Sequence, residues 1–237
     1  MSKPEPNRDG LLAMFYDKLS DLLSMDDYQQ FYSNKTKNGR DTYLCSDIFC
    51  NDIMSAIILE EYGVRGKLGG NVFVAYPRPE YNVPIFGWQL GGNDKQKIAM
   101  LDINATQSDF DYTPLIPVYE KYKDLLDLQP AKLDWVDDIS SPYLIHRQYD
   151  ELDVELFMEA TYEYLAIWLE HYYKPAVLIQ SQEKKKEAEE AIFKYKRILH
   201  DNDPAYGIFC KEWGAPVADA FFYVETRDHP ALPMPVH

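Results

Sequence analysis

An α+β fold built on a largely antiparallel sheet is predicted by the order of the signals along this chain. Strand-like runs and glycine-rich turns gather in the first half, and helical periodicity dominates the second half. Leu11, Leu12, Phe15, Leu19, Leu22 and Leu23 recur at helical spacing, which predicts an amphipathic helix over 9–24. Polar, turn-rich sequence follows through Asn34, Asn38 and Gly39. The apolar run 53–62 ends in Gly63, Gly66, Gly69 and Gly70, and Val72-Phe73-Val74-Ala75-Tyr76 comes next. That order predicts two strands joined by a loose turn. Pro77, Pro79 and Pro84 punctuate a loop before a short strand over 86–90. Residues 95–103 alternate, with Ile98, Met100 and by extension Asp102 on one face and Lys97, Ala99 and Leu101 on the other.

Helices follow. Leu152, Leu156, Phe157, Ala160, Tyr164, Leu165 and Trp168 mark a long buried helix that ends near Tyr173, before Pro175. Residues 181–200 form a charged helix, and Asp201-Asn202-Asp203-Pro204 is a break and restart with proline in a first turn. One domain over 1–237 is expected, with 1–8 and 227–237 as loose tails; there is no internal repeat, low-complexity tract or clear linker.

Composition narrows the function classes. The 237 residues are 46% hydrophobic, enough for one sizeable core, and 19 tyrosines stand against 11 phenylalanines. Tyrosine pairs an apolar ring with a hydroxyl that needs a partner, which suits a pocket for a large amphipathic ligand as well as an ordinary half-buried surface. A net charge of −15 disfavours nucleic acid. No stretch reaches 18 apolar residues and the N-terminus is polar, so no membrane span or signal peptide is expected, and a soluble intracellular protein is. Cys45, Cys50 and Cys210 read as buried free thiols; the Cys45–Cys50 spacing lacks the third cysteine of an iron–sulfur run. There is no phosphate-binding glycine loop and no nucleophile elbow. The five histidines form no ligand pairs, so no metal site is expected. Any chemistry falls to isolated carboxyl groups in a pocket.

Two segments carry a resemblance. Tyr76-Pro77-Arg78-Pro79-Glu80-Tyr81-Asn82-Val83-Pro84-Ile85-Phe86-Gly87 resembles the FPEP-Y-x-x-P-x-FG signature of ferredoxin-dependent bilin reductases. Leu101-Asp102-Ile103-Asn104-Ala105-Thr106-Gln107-Ser108-Asp109 resembles that family's D-L-S-P-T-Q-S-D run, at nearly the family's separation. Asp203-Pro204-x-x-Gly207 and Phe221-Phe222 resemble its C-terminal helices more weakly, and the first 50 residues match poorly.

The resemblance implies a three-layer α/β/α sandwich, with an open-chain tetrapyrrole between the sheet and the C-terminal helices. It implies biliverdin or a dihydrobiliverdin as substrate, reduced ferredoxin as one-electron donor, and no metal or tightly bound cofactor. A radical route to a phycobilin or phytochromobilin-like product, at the A-ring diene, is the implied outcome. A carboxyl buried against the macrocycle has its pKa raised, so it holds a proton near neutral pH and can deliver it.

The family's residues carry over one position at a time. Glu60 is similar to the strand glutamate facing the ring edge, although Glu60-Glu61 also reads as a solvated strand end. Asp203 is similar to the aspartate before proline that some members use as an acid, and it is equally a good helix cap. Gln89 stands where many members carry an aspartate, and an amide cannot act as that acid. Val72 stands where phycocyanobilin-forming members place a histidine. Arg147 is implied to grip a propionate, with Lys97 a further contact; a surface ion pair with Asp150 or Glu151 is the plainer reading of Arg147. Val74 and Asn202 are further implied ligand contacts, and Phe86 and Phe222 read either as packing against the pyrrole rings or as core.

Ferredoxins are acidic, so docking needs a local basic patch, and Lys184-Lys185-Lys186 with Lys194, Lys196 and Arg197 is the candidate. A haem oxygenase or a bilin acceptor protein would be further partners of a monomer in the cytoplasm or plastid stroma. Two alternatives stay open: a catalytically impaired bilin carrier or sensor, motivated by Gln89 and Val72, and a chlorophyll-catabolite reductase relative.

Overall fold

The computed structural model describes residues 10–23, 29–37, 40–64, 68–92, 97–124, 134–149, 153–203, 205–216 and 218, with backbone alone at 29–37, 40–42, 64, 68 and 148–149. Its centre is a seven-stranded sheet in chain order, with every neighbouring pair antiparallel. The strands are β1 (Gln29–Lys37), β2 (Arg40–Phe49), β3 (Met54–Val64), β4 (Leu68–Pro77), β5 (Ile85–Gly92), β6 (Lys97–Asn104) and β7 (Ile145–Tyr149). Among the described residues, helices α1 (Ala13–Lys18), α2 (Ile116–Tyr122) and α3 (Val154–Ile167) go with one face of the sheet. Helices α4 (Gln182–Asn202) and α5 (Ala205–Trp213) cover the other. The three-layer α+β sandwich is therefore the architecture.

Burial explains why the strands read as nearly continuous apolar runs. Antiparallel sheets commonly leave one face wet, and their strands then alternate. Here both faces are covered, so Ile57, Ile58 and Leu59 in β3 are all buried. On the α1–α3 face, Phe15 stacks on Phe73 with centroids 4.4 Å apart, and Trp88 lies near-parallel to Phe157 at 6.3 Å. The polar atoms of this core are satisfied one by one: Trp88 Nε1 donates to Thr161 Oγ1 at 2.9 Å, and Trp168 Nε1 donates to the Pro84 carbonyl at 3.0 Å.

The sequence reading is corrected in four places. The first helix is short: a 3-10 turn at Gly10–Leu12 leads into α1, and turns continue to Leu22. The polar stretch through Asn34 is a strand pair whose register runs from Gln29↔Ile48 to Lys37↔Arg40. A main-chain ladder needs no apolar side chains, so periodicity gave no sign of it. Strand β7 and helix α2 are also unannounced, since each is too short to show a period. The long helix begins at Val154, where the Asp153 side chain accepts from Leu156 N at 3.0 Å. It runs on as a wider π-helical turn over Trp168–Tyr173. The expected break holds: α4 ends at Asn202, Asp203 is extended, and α5 starts at Ala205. The proposed tails lie outside the described residues.

Candidate active site

Register across the sheet assembles the site. Ser46 pairs with Glu60, Glu60 with Val72, Val72 with Gln89, Gln89 with Met100 and Met100 with His146. Paired residues project to the same side of a sheet, so these six side chains form one row on the α4–α5 face. Two residues along, a second row reads Ile58, Val74, Gly87 and Asp102. On the other side, Leu44, Tyr62, Gly70, Gly91 and Ile98 make a third.

A cleft opens over these rows in two adjoining lobes of about 50 Å³ and about 100 Å³. Glu60, Val72 and Val74 border the smaller lobe, and Trp135 and His146 border the larger. Tyr62, Gln89, Met100, Leu199 and Asp203 border both. The cleft is walled below by strands and above by the end of α4 and the start of α5.

Each polar group has a defined environment. Glu60 is 1% exposed, and its Oε1 accepts from Ser46 Oγ at 3.1 Å. Asp203 faces it from the helix wall; burial raises its pKa, while the hydrogen bond its Oδ1 accepts from Ala205 N at 2.8 Å works the other way. Helix capping and a place in the cleft thus coexist in Asp203. Gln89 Nε2 reaches the Tyr62 hydroxyl at 3.5 Å. The His146 ring is buried, and burial together with the Arg147 charge pushes its pKa down to about 4, so it is neutral at pH 7.

Behind the cleft, Asp102 is fully buried and takes four hydrogen bonds. Its donors are Ile103 N (2.9 Å), Asn104 Nδ2 (2.8 Å), Ser141 N (2.9 Å) and Ser141 Oγ. Burial outweighs them and pushes its pKa up to about 6.

The two signature segments turn out to be structural supports for this cleft. Thr106 Oγ1 donates to the Val83 carbonyl at 3.3 Å, tying one segment to the other. Ser108 N donates to Glu187 at 2.7 Å and Asp109 pairs with Lys184, which fixes the start of α4. Glycine at position 87 lets α4 approach, because a Cβ there would come 2.9 Å from the Tyr195 hydroxyl.

Of the residues singled out from sequence, Glu60, Val72, Val74, Gln89 and Asp203 come together in the cleft. Phe86 does not: it is fully buried on the opposite face, 5.3 Å from Phe73 and 5.8 Å from Trp168, and is core. Lys97 and Arg147 have the same parity as Ala99 and Leu101, so they too project from the face opposite the cleft. Arg147 Nη1 donates to the His146 carbonyl at 2.7 Å. Asn202 is exposed and bonds back to the Ile198 carbonyl at 2.9 Å. Phe222 lies outside the described residues. Tyr62, Met100 and His146 were missed, and strand parity would have found the first, two residues beyond Glu60. Cys45 and Cys50 are buried and in no disulfide, whereas Cys210 is only half-buried.

Residues 65–224 match the family described as ferredoxin-dependent bilin reductase. The chain belongs to that family. Membership spans both signature segments and the Asp203 junction, and so takes in most of the cleft. No match is found among curated proteins. Chains of solved structures do match, among them selenomethionine-labelled phytochromobilin synthase from tomato in complex with biliverdin. That structure has a TM-score of 0.70 and 18% identity over 92% of this chain and 85% of its own. The likeness establishes a shared bilin-reductase fold.

Proposed function

We propose that the cleft binds biliverdin IXα or a dihydrobiliverdin and that the chain reduces it with electrons taken singly from ferredoxin. One observation carries the reading: Glu60 from the sheet and Asp203 from the helix junction open on the same cavity from opposite walls. Reducing one carbon–carbon double bond takes two electrons and two protons. The first electron makes the bilin a radical anion that takes up one proton. The second converts that neutral radical to a closed-shell anion that takes up the other, and a buried carboxyl with a raised pKa is a matched proton source. Asp203 fits that description. Gln89 lines the same lobe and supplies hydrogen bonding and no acid, so the protons come from the two carboxyl groups, and we assign the A-ring diene and a phycobilin product.

The lobes are smaller than the roughly 300–1,000 Å³ of pockets that enclose drug-sized ligands. Binding therefore parts the walls. The sheet is tied by six ladders, so α4 and α5, which meet at Asp203, are the wall that moves.

The basic patch is a weaker docking site than its sequence suggests. Lys184, Lys186 and Arg197 pair with Asp109, Glu190 and Asp201, and Lys196 is buried with its ammonium 4.6 Å from the Tyr76 ring centroid. Ferredoxin would compete for these exposed pairs, which cost little to break. We place the reaction in the cytoplasm or plastid stroma and the working unit as a monomer.

Anaerobic incubation with biliverdin, reduced ferredoxin and a regenerating system tests the proposal. A shifted absorption spectrum and a product bilin are expected. Bilin taken up stoichiometrically but never reduced would replace the enzyme with a carrier or sensor, the reading that Gln89 favours.

A further inference from the structure

We propose that Tyr62 is a ligand-facing hydrogen-bond donor of the cleft, and that Gly70 and Gly91 leave the space in which its ring lies. The inference rests on the tetrapyrrole reading and names a contact within it. Tyr62 stands two residues after Glu60 in β3 and shares its face. Its cross-strand neighbours are Gly70 and then Gly91. A Cβ on Gly70 would come 2.5 Å from the Tyr62 hydroxyl and would strike the ring, and one on Gly91 would lie 3.4 Å from the same hydroxyl. The ring therefore extends across β4 toward β5 over two positions without side chains; a Cβ at 70 would displace it, and one at 91 would meet its hydroxyl at contact distance.

Its far end arrives where the chemistry is. The hydroxyl sits 3.5 Å from Gln89 Nε2, and the ring borders both lobes of the cleft although it is only 4% exposed. Phe209 of α5 packs edge-on against the ring at 5.0 Å, so the phenol is held from sheet and helix alike. Burial, with the nearby Asp203 and Glu60, raises its pKa. It keeps its proton throughout the physiological range. A neutral, oriented O–H suits a lactam carbonyl or a ring gaining electron density, because it stabilises partial negative charge with no counter-charge to bury.

Tyr62→Phe keeps the ring and removes the donor. Titration with biliverdin IXα followed by absorbance should show binding weakened about three- to tenfold, the span of one neutral hydrogen bond. The band of the bound bilin should shift as well, a signature that loss of packing alone would not give. Gly70→Ala displaces the phenol without removing it and should change affinity and band in the same direction. Gly207→Ala, where a Cβ meets nothing within 4 Å, should change neither. Tyr62→Phe and Gly70→Ala proteins that are folded by circular dichroism, yet match the unaltered protein in affinity and band, would overturn the assignment. An unaltered protein that takes up no bilin would instead remove the tetrapyrrole reading, and this contact with it.

Discussion

The two faces of one sheet do opposite work in this protein. Along β5, Phe86, Trp88 and Leu90 point into a closed aromatic core, while Gly87, Gln89 and Gly91 point into a cleft. Along β3, Ile57 and Leu59 join that core, while Glu60 and Tyr62 face the cleft. The aromatic face satisfies each indole N–H with one partner and leaves none to spare for a ligand. The cleft face gathers acids, an amide, a phenol and a histidine under two helices. A covered sheet can thus hold its rigidity on one side and its reactive groups on the other, at alternate positions of the same strands.

That contrast breaks most visibly in stability. Trp88→Ala should cost about 3–5 kcal/mol, as for other fully buried aromatic truncations, whereas Val72→Ala on the half-open face should cost about 1 kcal/mol or less. Urea midpoints would decide, and equal costs would mean that the cleft face is packed as tightly as the core. Activity should show the reverse pattern. Glu60→Gln and Asp203→Asn should each lower single-turnover reduction about a hundredfold, with bilin affinity within a few-fold of the unaltered protein. A variant that keeps full rate would strip that carboxyl of its role.

Two buried groups on the cleft side sharpen the comparison through pH. The carboxyl of Asp102 titrates near 6 in the folded chain against an ordinary 3.8, so its contribution to stability is complete below about pH 4 and is lost as pH rises through 6. His146, at about 4 against 6.5, behaves oppositely: its contribution is present above 6.5 and is lost as pH falls toward 4. The two offset each other over the same window. Asp102→Asn should therefore expose a steeper loss of stability on acidification, on the order of 2–3 kcal/mol between pH 7 and 4. His146→Gln should tilt the profile the other way by a similar amount. Chemical denaturation at a series of pH values reads both, and an unchanged slope in either variant would mean that the group titrates normally. The smallest effect belongs to Gly207, an exposed helical glycine with open space around it; alanine there should stabilise by roughly 0.5–1 kcal/mol in thermal unfolding.

Much of this was legible beforehand, and the failures are instructive. Alternation separated Ile98 and Met100 from Lys97, Ala99 and Leu101 correctly. Arg147 was assigned to the ligand by likeness to other chains, and Lys97 and Phe86 by their place in the strands, but strand parity puts all three on the face opposite the cleft. A side chain cannot cross a hydrogen-bonded sheet. Strand β1 gave no period because Phe31 and Tyr32 are its only large apolar residues, and a backbone ladder forms without more. His146 escaped notice because it borders the cleft only once β7 pairs with β6, a contact between residues far apart in the chain.

By itself the amino-acid order determined the class of fold, the family, and the two carboxyl-bearing positions. These are carried by short-range patterns and by two contiguous segments. Which face of the sheet each residue serves, and which groups meet over Gly70 and Gly91, was decided only by folding. Strands brought together in space set their register through side-chain volume, and no single segment contains that information.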